Sequence, residues 1–189
     1  MEKPAGQKLA GALKVSVTIT LVCNLVALLL VPGMSLMKGP EELLALTPSE
    51  NPLEVPLRVG IAFVLSWGWV WTAGVYEVVL ALFLLFCGIC TAVILWQGRR
   101  VLGTILTGAP FRAENGVSLR RAAVCCFLIA AAALARVVWG LFYYGSVAPL
   151  LTYYALFVPI FLLGGLLCLV MSALFRQAAE LKAENDLTI

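Results

Sequence analysis

Uncharged runs set the pattern of the chain. Residues 15–37, 59–76, 78–98 and 137–175 contain no Asp, Glu, Lys or Arg, and 122–135 is a shorter stretch of the same kind. A helix that crosses a bilayer needs roughly 20 mostly apolar residues, at about 1.5 Å of rise each. One span therefore covers residues 15–37. A second, 73–97, includes Glu77, and a third, 121–143, includes Arg136. The run 137–175 is too long for one helix, and Gly145-Ser-Val-Ala-Pro149 breaks it with turn-forming residues. The fourth span is 150–174. The expected fold is an all-α membrane protein, a four-transmembrane-helix bundle forming a single membrane domain over 1–189. Residues 38–72 and 98–120 connect the spans on opposite sides, and 175–189 form a tail.

Residues 59–72 are the ambiguous piece. A separate spanning helix there would leave only Thr72-Ala73-Gly74 to turn the chain. Trp67, Trp69 and Trp71 alternate, which is the period of a strand. This predicts a short extended or hairpin-like cap. The alternative is that these tryptophans anchor the start of the second span at headgroup level. Pro40, Pro48, Pro52 and Pro56 break the preceding stretch.

Charge placement orients the helices. Positive residues favour the cytoplasmic side. With four spans, Lys3, Lys8 and Lys14 share a side with Arg99, Arg100, Arg112, Arg120 and Arg121. The opposite connection holds Lys38 and Arg58 against Glu41, Glu42, Glu50 and Glu54. Both termini are therefore expected in the cytoplasm, in a multi-pass protein of the cell (cytoplasmic) membrane. The first apolar run exceeds a signal-peptide core and lacks a small-residue cleavage site, so an uncleaved span is expected.

Composition narrows the chemistry. The chain is 62% hydrophobic and 12% charged, which excludes an ordinary soluble domain and a disordered one. The absence of histidine removes His-based triads and most zinc and haem sites. No phosphate-cradling glycine loop and no ligand cluster occurs, so neither a cofactor, a metal, a catalytic group nor direct nucleic-acid binding is expected. Cys23, Cys87, Cys90, Cys125, Cys126 and Cys168 all fall in expected spans. Cys87-Gly-Ile-Cys90 matches C-x-x-C, but packing explains it better than redox chemistry. Gly88 and Gly164-Gly165 suggest close helix contacts.

Glu77 and Arg136 stand out, because ionised groups inside a bilayer are costly and usually pair or line a polar cavity. They are expected to form an intramembrane ion pair between the second and third helices. A proton- or substrate-linked carboxylate is the alternative, which would make the chain a small transporter or a lipid- or small-molecule-handling protein.

The second helix is expected to run past Trp96 to about Leu106, where Gly108 suits a C′ position and Pro110 a stop. Asn115 or Ser118 suits a helix N-cap. The fourth helix should continue through Arg176-Gln-Ala-Ala-Glu-Leu-Lys-Ala-Glu184, which is rich in helix formers. Arginines near the inner boundary also suit anionic lipid.

Two segments at this end resemble a known family. Gly108, Pro110, Phe111, Asn115, Leu119, Arg120 and Arg121 fit a G-x-P-F…N…L-R-R-I/A pattern. Glu180, Leu181, Glu184, Asp186, Leu187, Thr188 and Ile189 fit an E-L-x-x-E-x-D-L-T-I/V chain end, with Ala178 where glycine is frequent. Together they resemble the YoaS-like family of four-span bacterial membrane proteins of unknown function. Many members are encoded beside a helix-turn-helix regulator of the Cro/CI type. The resemblance implies a non-enzymatic sensor or regulatory partner of a cytosolic transcription regulator. The partners expected are the lipid bilayer, that regulator and a further copy of the chain. The loop and tail motifs are expected to form one cytoplasmic surface.

Overall fold

The computed structural model describes residues 5–36, 54–108 and 112–186. Five α-helices follow one another: α1 (Ala5–Leu36), α2 (Glu54–Trp69), α3 (Val75–Leu106), α4 (Ala113–Tyr144) and α5 (Tyr153–Asp186). Short 3-10 turns, Val70–Thr72 and Ala148–Leu151, precede α3 and α5. Stretches within α1, α3, α4 and α5 are long and apolar enough to cross a membrane. The four expected spans thus correspond to four long helices. The chain divides into two compact units, Leu25–Gly88 and the combination of Met1–Asn24 with Ile89–Ile189.

In the Leu25–Gly88 unit, Val31, Val70 and Ala81 form a buried cluster with Leu84 and Leu85 packed against it. Gly88 faces Leu28 so closely that a Cβ would stand 2.5 Å from Leu28 Cδ2. This close approach is the one expected of a small residue at a helix contact. Residues 54–69 form α2, which corrects the expectation of an extended or hairpin-like cap, and the described residues include no strand. Three alternating tryptophans are too few to fix a period, and Trp67 and Trp71 are also one helical turn apart. The Trp67 Nε1–H donates to the Leu29 carbonyl at 3.0 Å. Leu29 lies beside Leu28, whose carbonyl loses its helical donor because Pro32 has no amide hydrogen. The 3-10 turn tightens the end of α2, and Ala73 in an extended conformation (ψ 177°) leads out of it. The prolines at 40, 48 and 52 lie outside the described residues.

In the larger unit, α4 packs along α5. The buried side of α4 carries Ala122, Ala123, Cys126, Ile129, Ala130, Ala133, Val137 and Gly140. Most are small, so the helices approach closely. Gly165 of α5 meets the ring of Phe127, where a Cβ would come within 2.8 Å. Gly164 faces open space, so only one of the two expected glycines makes a close contact.

The helix ends follow local chemistry. Gly108, with φ +75°, takes the left-handed conformation that stops α3. Gly145, with φ +59°, does the same for α4, its N–H bonding the Leu141 carbonyl at 3.0 Å. The expected break at residues 145–149 is therefore present, though α5 begins at Tyr153 rather than 150. Asn115 and Ser118 do not cap α4. Arg112 occupies the N-cap without a side-chain bond, and both polar residues are buried inside the first turns. The helix starts early enough that neither side chain remains at a capping position.

Candidate functional site

Polar groups concentrate where the last turns of α3, the first turns of α4 and the last turns of α5 come together within one unit. The Asn115 side chain is 1% exposed. Its Nδ2 donates to Thr104 Oγ1 at 2.7 Å, tying α4 to α3. Ser172 Oγ donates to the Gly116 carbonyl at 2.7 Å, tying α5 to α4. Gly116 permits this approach, because a Cβ there would meet the Ser172 carbonyl oxygen at 3.1 Å. Buried polar groups require such partners, since leaving one unmet costs about 1–3 kcal/mol. Gln97 of α3 is also buried, and its Oε1 has no hydrogen-bond partner among the described residues.

Ionic contacts surround this neutral core. Arg100 of α3 lies 3.8 Å from Glu114 of α4, and Arg176 lies 3.6 Å from Glu180 one turn along α5. All four side chains are more than half exposed, so each pair contributes little to stability. A groove of about 470 Å³ runs between the two helices, lined by Ala113 and Val117 of α4 and by Arg176, Ala179, Glu180 and Ala183 of α5. Its walls are mostly small and apolar, with one cation and one anion on the α5 side.

Of the residues in the two sequence motifs, Glu180 lines the groove, while Ala113 and Val117 lie between loop-motif positions. Gly108 ends α3, Asn115 supplies the α3–α4 bond, Leu119 is half-buried, and Arg120 and Arg121 are exposed. Glu180, Leu181 and Glu184 occupy exposed positions on the last turns of α5, and Asp186 is its final residue. Pro110 and Phe111 of the loop motif, and Leu187, Thr188 and Ile189 of the tail motif, lie outside the described residues. Thr104, Gln97 and Ser172 belong to neither motif. Their only sequence signal is a neutral polar residue near the end of an apolar helix.

Glu77 and Arg136 fall in different units, and each has its own local setting. Glu77 is half-buried in the first turn of α3, where a negative charge suits the helix dipole. Its carboxylate folds back toward Gly74, 2.6 Å from where a Cβ would stand. The Arg136 guanidinium lies over the Tyr154 ring, 3.8 Å from its centre, a cation–π contact between α4 and α5. All six cysteines are free thiols. Among the described residues no group of three or more acidic, Cys or His side chains is placed to hold a metal.

This arrangement has the parts of a helix junction with an exposed groove. Its two hydrogen bonds tie the start of α4 to the end of α3 and to Ser172 within α5, and its charged groups are exposed. No curated protein and no solved structure matches the chain. One family profile, described as "Protein of unknown function (DUF2975)", matches residues 36–189. A match over most of the length, on a framework of four apolar membrane-length helices, shows that the chain is a multi-pass membrane protein belonging to the DUF2975 family.

Proposed function

We propose that this protein is a non-enzymatic membrane regulator whose α3–α4–α5 junction faces the cytosol and docks a cytosolic partner. The groove of about 470 Å³ between α4 and α5 is the observation that carries this reading. Ala113, Val117, Ala179 and Ala183 offer a shallow apolar floor that suits a helix with a narrow apolar stripe. Arg176 and Glu180 beside it favour a helix bearing the complementary pair of charges.

The arginines of this end supply the orientation, because Arg99, Arg100, Arg112, Arg120 and Arg121 follow the positive-inside tendency. The resemblance to YoaS-like proteins supplies the kind of partner, a small helix-turn-helix regulator encoded nearby. Holding such a regulator at the membrane would control how much of it reaches DNA.

Co-purification with the neighbouring regulator tests the reading. The wild-type chain in mild detergent should retain the regulator. Ala179→Trp with Ala183→Trp fills the groove from half-buried Ala179 and exposed Ala183 and should abolish retention while leaving the protein monodisperse. Equal retention by the filled and open grooves would remove the docking role. Maleimide labelling of Lys182→Cys, in a chain whose native cysteines are replaced, should occur only from the cytosolic side.

A further inference from the structure

We propose that a cleft between α1 and α3 binds the phosphate of one anionic phospholipid. The cleft is about 380 Å³ and is lined by Lys14 of α1 and by Trp96, Arg99, Arg100 and Gly103 of α3. All five residues belong to one compact unit. Lys14 reaches across to α3, its Nζ standing 3.6 Å from where a Cβ on Gly103 would be. The Arg99 guanidinium lies 5.8 Å from the Trp96 ring centre. Three cations thus border one cavity, and no carboxylate lines it among the described residues. Glu114 partly satisfies Arg100 at 3.8 Å, which leaves Lys14 and Arg99 as the main sources of positive potential.

The position of the cleft selects a lipid rather than a soluble phosphate. Lys14 immediately precedes the uncharged run 15–37, and Arg99 immediately follows the run 78–98. Both cations therefore stand at the boundary between hydrocarbon and headgroups, where tryptophan is also enriched. Ile89, Val93 and Trp96 are exposed and succeed one another by four and three residues, so they share one face of α3. Arg100 and Gly103 continue that face by the same spacing. An acyl chain lying along Ile89, Val93 and Trp96 would deliver its phosphate to Lys14 and Arg99. A free phosphate would use the cations and leave the apolar stripe unused.

Native mass spectrometry of the full chain in neutral detergent reads this directly. The probes are phosphatidylglycerol, phosphatidylcholine and glycerol phosphate. One phosphatidylglycerol per chain should be retained in preference to phosphatidylcholine, and glycerol phosphate should not displace it. Lys14→Gln with Arg99→Gln should weaken retention about tenfold or more, since each cation near the surface contributes appreciably to anionic-lipid attraction. Lys182→Gln removes one positive charge, as Arg99→Gln does, but away from the cleft, and should change nothing. Arg99→Gln alone, with rescue by Arg99→Lys, keeps the test valid if the double variant does not fold. Equal retention of the two lipids, displacement by glycerol phosphate, or unchanged retention in both Arg99→Gln and the double variant would overturn the site.

Discussion

α4 and α5 lie against each other, yet they treat their apolar residues differently. α4 buries 11 of its 32 residues, and most of them are small. α5 buries Gly165 and Ser172 while Leu156, Ile160, Leu163, Leu167, Val170 and Leu174 stay exposed. Those six recur every three or four residues, which makes a continuous apolar stripe along one face. In water such a stripe would drive aggregation. In a bilayer it is solvated by acyl chains, and helix association rests on close packing and interhelical hydrogen bonds. α4 is therefore the packing helix of the pair, and α5 is the lipid-facing one that contributes the outer wall of the groove.

The largest expected effect comes from overfilling α4. Ala123 and Ala133 are 0% exposed, so Ala133→Leu or Ala123→Leu should destabilise by about 1–3 kcal/mol. Thermal unfolding in detergent micelles checks this. Removing the polar ties should cost less. Asn115→Leu withdraws the donor to Thr104, and Ser172→Ala withdraws the donor to the Gly116 carbonyl. Each should cost about 0.6 kcal/mol and at most about 1.7 kcal/mol, the average and maximum found for interhelical bonds in a membrane protein. If Ala133→Leu and Leu163→Ala proved equally damaging, the division between a packing helix and a lipid-facing helix would fail.

Much of this framework was legible in the sequence. Charge-free runs marked the four long helices, because a bilayer imposes length and apolarity together. Gly108 and Gly145 marked the ends of α3 and α4, because a left-handed residue there favours glycine. The helical continuation of α5 followed from helix-forming residues at 176–184. The tryptophans misled, because spacing over five residues fits both a strand and a helical turn, and the Trp67 bond to Leu29 depends on tertiary structure. Asn115 was singled out but given the wrong role, since its partner Thr104 is distant in sequence. Ser172 and Gln97 were missed, because nothing in an apolar run marks which hydroxyl or amide faces a neighbour. The groove itself was not read from the sequence, and the expected loop-and-tail surface rests on Pro110, Phe111 and residues 187–189, which lie outside the described residues. Its alanine floor carries no sequence signal of its own.

The smallest expected effect lies on the α5 stripe. Leu163→Ala and Leu167→Ala alter exposed side chains, and each should change stability by less than about 0.5 kcal/mol. The same thermal measurement used for α4 checks them, and a large loss would place that face against protein instead.

Site-specific photo-cross-linking tests the docking role most directly. A benzoylphenylalanine at Val117, on the groove, is compared with one at Leu163, on the exposed stripe. Cells expressing the proposed cytosolic regulator are irradiated and its covalent adducts are identified by mass. An adduct from Val117 and none from Leu163 is the expected result. A regulator that co-purifies with both proteins but cross-links to neither, or to Leu163 alone, would contradict docking at the α4–α5 groove.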